Sequence, residues 1–193
     1  MAGQDIAGRF NPKGIFLLAG ALTVVFIPSA CSEPAAEERG YEVPNSLCGD
    51  RVPPEVLDPL LPPGTSLSFD STGEDSPLGY CRLKVDGEQV LSVGIEWHGE
   101  GTELREAANI VVGLRGRDRV GLGGEGEKVI EESPYMYSRT GAIAEVRCKD
   151  PRMPGMKLFV SARIDTERTP KASEMKHLIA SYSRAVGNSN ECV

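Results

Sequence analysis

The chain contains few of the residues that enzymes use for acid–base and nucleophilic chemistry. Its two histidines, His98 and His177, fall at polar positions of the elements predicted around them, so we expect solvated side chains rather than catalytic bases. No Gly-x-Ser-x-Gly nucleophile elbow is present. Carboxylates are plentiful. Glu96 with Glu100 is an example of a pair that would serve as the two catalytic carboxylates of a glycosidase, but nothing in the sequence singles it out. These absences favour a non-enzymatic protein, with a carboxylate-dependent secreted hydrolase as the alternative.

Closely spaced cysteine pairs, the usual sign of a zinc site, are also lacking. Apart from Cys31, the chain has four cysteines, separated by 33, 67 and 44 residues: Cys48, Cys81, Cys148 and Cys192. The acidic loop 70–75 lacks the alternating oxygen ligands and the closing glutamate of a calcium loop. We therefore predict that the protein holds no metal ion.

The glycine-rich stretch 121–126 matches the pattern Gly-x-Gly-x-x-Gly, but its surroundings do not suit a nucleotide. A dinucleotide site requires a buried strand before the glycines and a helix after them. Residues 115–119 read Arg-Gly-Arg-Asp-Arg, and Glu125 and Glu127 would repel phosphates. We interpret the stretch as a surface loop and predict no cofactor.

The apolar stretch 15–27 is too short for a membrane span, because its 13 residues compare with the roughly 20 that a helix needs to cross the hydrocarbon core. It follows the basic segment 9–13 and precedes the small residues 29–30 and Cys31, which is the order of an export signal. Those last residues resemble a bacterial lipobox, whose cysteine is lipidated and becomes the mature N-terminus. Pro28 departs from that motif, which usually has Leu, Val or Ile there. Cleavage before Cys31 without lipidation is the alternative.

This signal divides the chain into a signal peptide at 1–30, a tether at 31–43 and one domain at 44–193. The tether is charged and poor in large apolar groups, as linkers are. We expect the domain to lie on the extracytoplasmic face of the cell membrane, anchored by lipid or secreted.

Basic residues are in the minority. The whole chain has 21 Lys and Arg against 28 Asp and Glu, and removal of Arg9, Lys13 and Asp5 with the leader leaves 19 against 27. This balance argues against nucleic acid as a partner. The one basic cluster is a candidate contact with an anionic lipid or polymer, and a solvated loop is the alternative. It consists of Arg115, Arg117 and Arg119.

An even number of cysteines in an exported domain favours two disulfides. Four cysteines allow three pairings. We predict Cys48 with Cys81, because the proline-rich segment around Cys48 needs attachment to the sheet. We predict Cys148 with Cys192, because a bridge there would secure the C-terminus beyond the last helix.

Sequence periodicity predicts an α+β domain, with an antiparallel sheet and helices packed on one face. The proline-rich segment 44–64 predicts a short helical turn that Pro59 ends. Helices are predicted from Thr102 and from Thr169, the second ending at Gly187. The apolar stripe of the second helix consists of Met175, Leu178, Ile179, Tyr182 and Val186. Alternating apolar residues predict strands at 67–69, 81–85, 91–97, 142–148 and 157–164.

A hairpin is predicted around Asp86 and Gly87. A two-residue loop would place Leu83 and Leu91 on opposite faces of the sheet, because side chains alternate with a period of two. We therefore predict a three-residue loop with Gly87 in the left-handed conformation.

The segment Pro134-Tyr-Met-Tyr is a candidate contact patch, because aromatic residues and methionine are enriched at interfaces. The patch would consist of Tyr135, Met136 and Tyr137. The alternative is a strand that enters the sheet with one face buried.

Several short segments resemble small secreted proteins and lipoproteins of actinobacteria. These are 47–49, 59–64, 79–82 and 85–87, with the strand-end Cys148 and the final Cys192. That group has no known function, and its domains are similar to the extracellular sensor domains of some actinobacterial kinases. The resemblance implies an α+β sandwich with two disulfides and carries no catalytic residues over. We expect a membrane-anchored module that binds or senses an unknown ligand or envelope protein.

Overall fold

The computed structural model describes residues 39–72, 79–110, 122, 127–148, 152–166 and 169–192. Seven strands form one sheet in the order β1-β2-β3-β7-β6-β5-β4, and every neighbouring pair is antiparallel. The strands are β1 (Leu67–Thr72), β2 (Gly79–Val85), β3 (Glu88–Gly99), β4 (Ile130–Glu132), β5 (Tyr135–Tyr137), β6 (Gly141–Val146) and β7 (Met156–Ile164). The helices are α1 (Pro54–Leu57), α2 (Leu104–Ile110) and α3 (Ala172–Gly187), with 3-10 turns at Asp58–Leu60 and Asn190–Cys192. The predicted α+β class with an antiparallel sheet is confirmed.

The two faces of the sheet carry separate apolar clusters. On the first face, Ala142, Ala144 and Val146 of β6 pack in the cluster that contains the stripe of α3 and Leu57 of α1. On the second face, Ile143 and its neighbours pack with α2, in a cluster of Ala107, Ala108, Met136, Ile143 and Phe159. The predicted packing of helices on one face therefore describes α1 and α3, while the short α2 covers part of the other face.

Helix α3 follows its sequence pattern closely. All five predicted stripe residues are buried, and the helix ends at Gly187 as expected. It begins at Ala172 rather than at Thr169, because Lys171 is still extended and acts as the N-cap. The Glu174 carboxylate accepts a hydrogen bond from the Lys171 backbone N–H at 2.8 Å, which closes the first turn.

The β2–β3 hairpin corrects the predicted loop length. Val85 pairs directly with Glu88, so the loop contains two residues, Asp86 and Gly87, both with positive φ (51° and 85°). The prediction of a left-handed Gly87 is right, but the three-residue loop is wrong. The one-residue offset that places Leu83 opposite Leu91 comes from a bulge at Val90 inside β3, because Lys84 still pairs with Gln89.

Both predicted disulfides are confirmed. Cys48 is bonded to Cys81, with Cα atoms 5.9 Å apart, and this bond holds the proline-rich segment against β2. Cys148 is bonded to Cys192, with Cα atoms 5.2 Å apart, and joins the residues after β6 to those after α3. Each bridge therefore secures a peripheral segment to the sheet.

Candidate functional site

The predicted contact patch at 135–137 is strand β5, and most of it is inside the protein. Met136 is buried in the second-face cluster and Tyr137 in the first-face core. The patch is therefore wrong for these two residues, because adjacent strand residues point to opposite faces and both faces are covered here. Tyr135 is half-buried and remains open to a partner.

Several predicted sites lie outside the described residues. The signal peptide at 1–30 and Cys31 precede residue 39, the first that is described. The arginine cluster Arg115, Arg117 and Arg119 also falls outside, as do residues 73–75 of the acidic loop and most of the glycine-rich stretch 121–126.

A polar cluster on the second sheet face contains one of the two histidines. Nε2 of His98 lies 3.0 Å from Oε2 of Glu96, and the Tyr80 hydroxyl donates a hydrogen bond to Oε1 of the same carboxylate. The side chains of Glu96 and His98 are only 6% and 12% exposed, and the His98 ring packs edge-on against Phe159 at a centroid distance of 5.5 Å. The prediction that His98 is solvated is therefore wrong, while His177 is exposed as predicted. Glu100 is exposed in the turn after β3.

Gly94 makes room for this cluster. It pairs with Tyr80 on β2 and with Ser161 on β7, at the centre of the sheet. A Cβ at position 94 would lie 2.8 Å from Cε1 of Tyr80 and 2.9 Å from Oγ of Ser161. Without that Cβ, the Tyr80 ring lies across β3 and reaches Glu96. Both carboxylate oxygens of Glu96 thus have hydrogen-bond partners inside the protein. A structural role is therefore enough to explain the cluster.

The described surface has two adjacent grooves along the C-terminal half of α3. The first, of about 400 Å³, lies between α3 and strands β5 and β6. Its lining includes Tyr135, Arg147, Ser183, Arg184 and Asn188. The second, of about 460 Å³, lies between α3 and the segment before α1. Its lining includes Asp50, Arg51, Ser181, Arg184 and Asn188. We call the pair the α3 grooves.

Three exposed arginines distinguish the α3 grooves: Arg51, Arg147 and Arg184. Within the described ranges, none of them has a carboxylate within 4.0 Å. Other arginines of the same ranges do, as Arg82 does with Asp70 and Arg163 with Asp165. The two acids of the lining are Glu145, which pairs with Lys157 at 3.6 Å, and Asp50. Among the described residues, the grooves therefore offer positive charge that no carboxylate neutralises.

A charged cluster attaches the N-terminal half of α3 to β4. Nζ of Lys176 donates to both oxygens of Glu132 at 2.9 and 2.8 Å, and the Tyr137 hydroxyl donates to the same carboxylate at 3.2 Å. The hydrogen bond from Lys176 lowers the pKa of Glu132, and the same contact raises the pKa of Lys176. Desolvation, followed by the bond to Glu132, raises the pKa of Tyr137. These contacts orient α3 and leave its C-terminal half, with the α3 grooves, open.

Sequence reasoning missed the α3 grooves. Arg184 and Asn188 are four residues apart on the polar side of the predicted helix α3, so they lie above one another on its surface. This row of the site could have been predicted from the sequence. Arg51 and Arg147 come from distant segments, and only the disulfide-bonded fold brings them to the same helix.

No group of three or more His, Cys, Asp or Glu side chains in the described part of the chain is arranged to hold a metal ion. Among those same residues, no helix has the length and apolar character that crossing a membrane requires. In comparisons with known proteins, no family model, no curated protein and no solved structure matches this chain.

Proposed function

We propose that the protein is a membrane-anchored extracytoplasmic module that binds or senses a ligand without converting it. The observation that carries this proposal is the pair of disulfides, each of which attaches a peripheral segment to the sheet. Disulfides persist in oxidising compartments, and the sequence before the domain has the order of an export signal. The resemblance to actinobacterial lipoproteins of unknown function supports the same proposal.

The α3 grooves support binding as the activity. Their volumes of about 400 and 460 Å³ lie in the range of about 300–1,000 Å³ that ligand sites occupy. A hydrolase that uses carboxylates is less well supported, because the buried Glu96 already has partners for both carboxylate oxygens, in Tyr80 and His98.

Membrane anchoring is tested by fractionating cells that express the epitope-tagged full chain. We expect the wild-type protein in the membrane fraction with an acylated N-terminal Cys31 by intact mass. The Cys31→Ala variant should be released or left unprocessed, whereas the neighbouring Ser32→Ala variant should behave as the wild type. An unmodified N-terminus at Met1 or Ala2 would refute the anchor.

Binding is tested in the same cells with a photo-crosslinking amino acid in α3. Position 181 lines a groove, and position 177 is exposed on the same helix but lines neither groove. We expect a discrete adduct from position 181 and none from position 177. Equal labelling at both positions would show that the grooves are not the binding surface.

A further inference from the structure

The α3 grooves run side by side and share a ridge. Ala180, Ser183, Arg184 and Gly187 line the first groove, whereas Ser181, Arg184, Ala185 and Asn188 line the second. Arg184 and Asn188 belong to both, and residues four apart lie above one another on a helix. The ridge between the grooves is therefore the Arg184–Asn188 row, parallel to the helix axis.

The length of the α3 grooves suits an extended chain. Residues 180–188, which include the α3 residues that line the two grooves, cover about 12 Å of helix. An extended peptide rises about 3.3 Å per residue, so roughly four residues would lie along this part of α3, about two of them over the Arg184–Asn188 ridge. Successive side chains of an extended peptide point to opposite sides, so alternate residues would enter the first and the second groove.

We propose that the α3 grooves form one binding site for an acidic peptide in extended conformation. The inference deepens the proposed function and rests on it. Adjacent acidic residues of the peptide place one carboxylate toward Arg147 and the next toward Arg51. Arg184 on the ridge contacts either carboxylate or a backbone carbonyl between them. Guanidinium groups suit this role, because their planar fork binds carboxylates through two parallel hydrogen bonds.

The remaining lining favours a peptide over other anions. The Asn188 amide on the ridge both donates and accepts hydrogen bonds, as recognition of a peptide backbone requires. Tyr135, Pro134 and Val146 add an apolar wall to the first groove. A densely charged polyanion suits the site less well, because Glu145 and Asp50 also line the grooves.

The test measures fluorescence anisotropy of labelled hexapeptides with the full chain in mild detergent. The probe is Gly-Glu-Glu-Glu-Glu-Gly, and the control peptide replaces each glutamate by glutamine. We expect the glutamate peptide to bind and the glutamine peptide to bind at least about tenfold more weakly, as loss of charge-assisted hydrogen bonds predicts. Inorganic tripolyphosphate is the competitor that represents a general anion.

Arginine variants locate the site. Arg184→Gln should weaken binding of the glutamate peptide about tenfold or more, and Arg51→Gln with Arg147→Gln should do the same together. Arg139→Gln is the matched control, because Arg139 is also exposed but lines neither groove. We expect it to bind as the wild type does. Thermal unfolding of each variant verifies that the fold is retained. If Arg184→Gln unfolds, peptide binding by the double variant of Arg51 and Arg147 still tests the site.

Three results would overturn the inference. These are equal binding by the Arg184→Gln and Arg139→Gln variants, equal binding of the two peptides, and displacement by tripolyphosphate as effective as by unlabelled peptide. Failure here is distinguishable from failure of the proposed function, because anchoring through Cys31 and crosslinking at position 181 do not depend on acidic peptides.

Discussion

The ring of Tyr80 lies across Gly94 on the neighbouring strand, so close that a Cβ at position 94 would approach its Cε1 atom to 2.8 Å. This contact carries the Tyr80 hydroxyl to Glu96, which in turn holds His98. A buried carboxylate is stable only when its oxygens have partners. The glycine is therefore part of the polar cluster, although it contributes no side chain to it.

Gly94→Ala should destabilise the protein by about 1–3 kcal/mol, as overpacking of an interior does. Thermal unfolding measures the loss, and the His98 ring resonances should shift because Tyr80 is displaced from Glu96. Gly99→Ala, at the exposed end of the same strand with open space around it, is the control and should change stability by less than about 0.5 kcal/mol. Equal stability of the two variants would show that Tyr80 does not need this space.

Gly87→Ala should destabilise the β2–β3 hairpin, because Gly87 has a φ of 85° that costs other residues about 1–2 kcal/mol. Chemical denaturation measures the effect. Gly101→Ala, at another exposed turn without a positive φ, should be nearly neutral. A neutral Gly87→Ala variant would contradict the two-residue loop and favour a different turn.

Replacing Cys148 and Cys192 together by serine should lower the free energy of unfolding by about 3–4 kcal/mol in the chain-entropy model. The bond closes a segment of 44 residues, and its loss releases the chain beyond α3. Hydrogen exchange should therefore accelerate first at 185–189. Non-reducing peptide mapping of the wild type checks the pairing itself, and a fragment that joins Cys48 to Cys148 or Cys192 would contradict it.

Acid should destabilise the protein through Glu127. Partial burial of this carboxylate raises its pKa, but hydrogen bonds from the Thr140 hydroxyl, the Arg139 N–H, Ser138 and the Thr140 N–H outweigh that effect and bring the pKa below the ordinary 4.5. The folded protein thus binds this proton more weakly than the unfolded chain does. The stabilisation is complete above pH 4.5 and is lost as the pH falls through the lowered pKa.

Denaturation from pH 7 to 3 should therefore show less acid sensitivity in Glu127→Gln than in the wild type. Glu103→Gln is the control, because Glu103 is exposed and its side chain makes no hydrogen bond to any described residue. It should retain the wild-type pH dependence. An unchanged acid profile in Glu127→Gln would show that other carboxylates dominate.

The hydrophobic pattern of the sequence was enough to predict those helices and strands whose buried residues recur with a regular period. The stripe of α3 from Met175 to Val186 could be predicted because an amphipathic helix repeats its apolar positions every three or four residues. Strands β2, β3 and β7 could be predicted in the same way, because side chains of a strand alternate between the two faces of the sheet with a period of two. The short β4 and β5 have too few residues to show a period, so the sequence allowed Met136 and Tyr137 to be interpreted either as a contact patch or as part of a half-buried strand.

The sequence by itself determined the α+β class and the strands and helices that carry strong periodicity. It also indicated two disulfides, but four cysteines allow three pairings, and only the fold decided which of them forms. Only the tertiary structure decided that His98 is half-buried, since alternation predicts a polar face but not that Phe159 and Glu96 cover it. It also decided the bulge at Val90, because a register depends on the partner strand. The α3 grooves depend wholly on the fold, since Arg51, Arg147 and Arg184 meet only when distant segments pack on one helix.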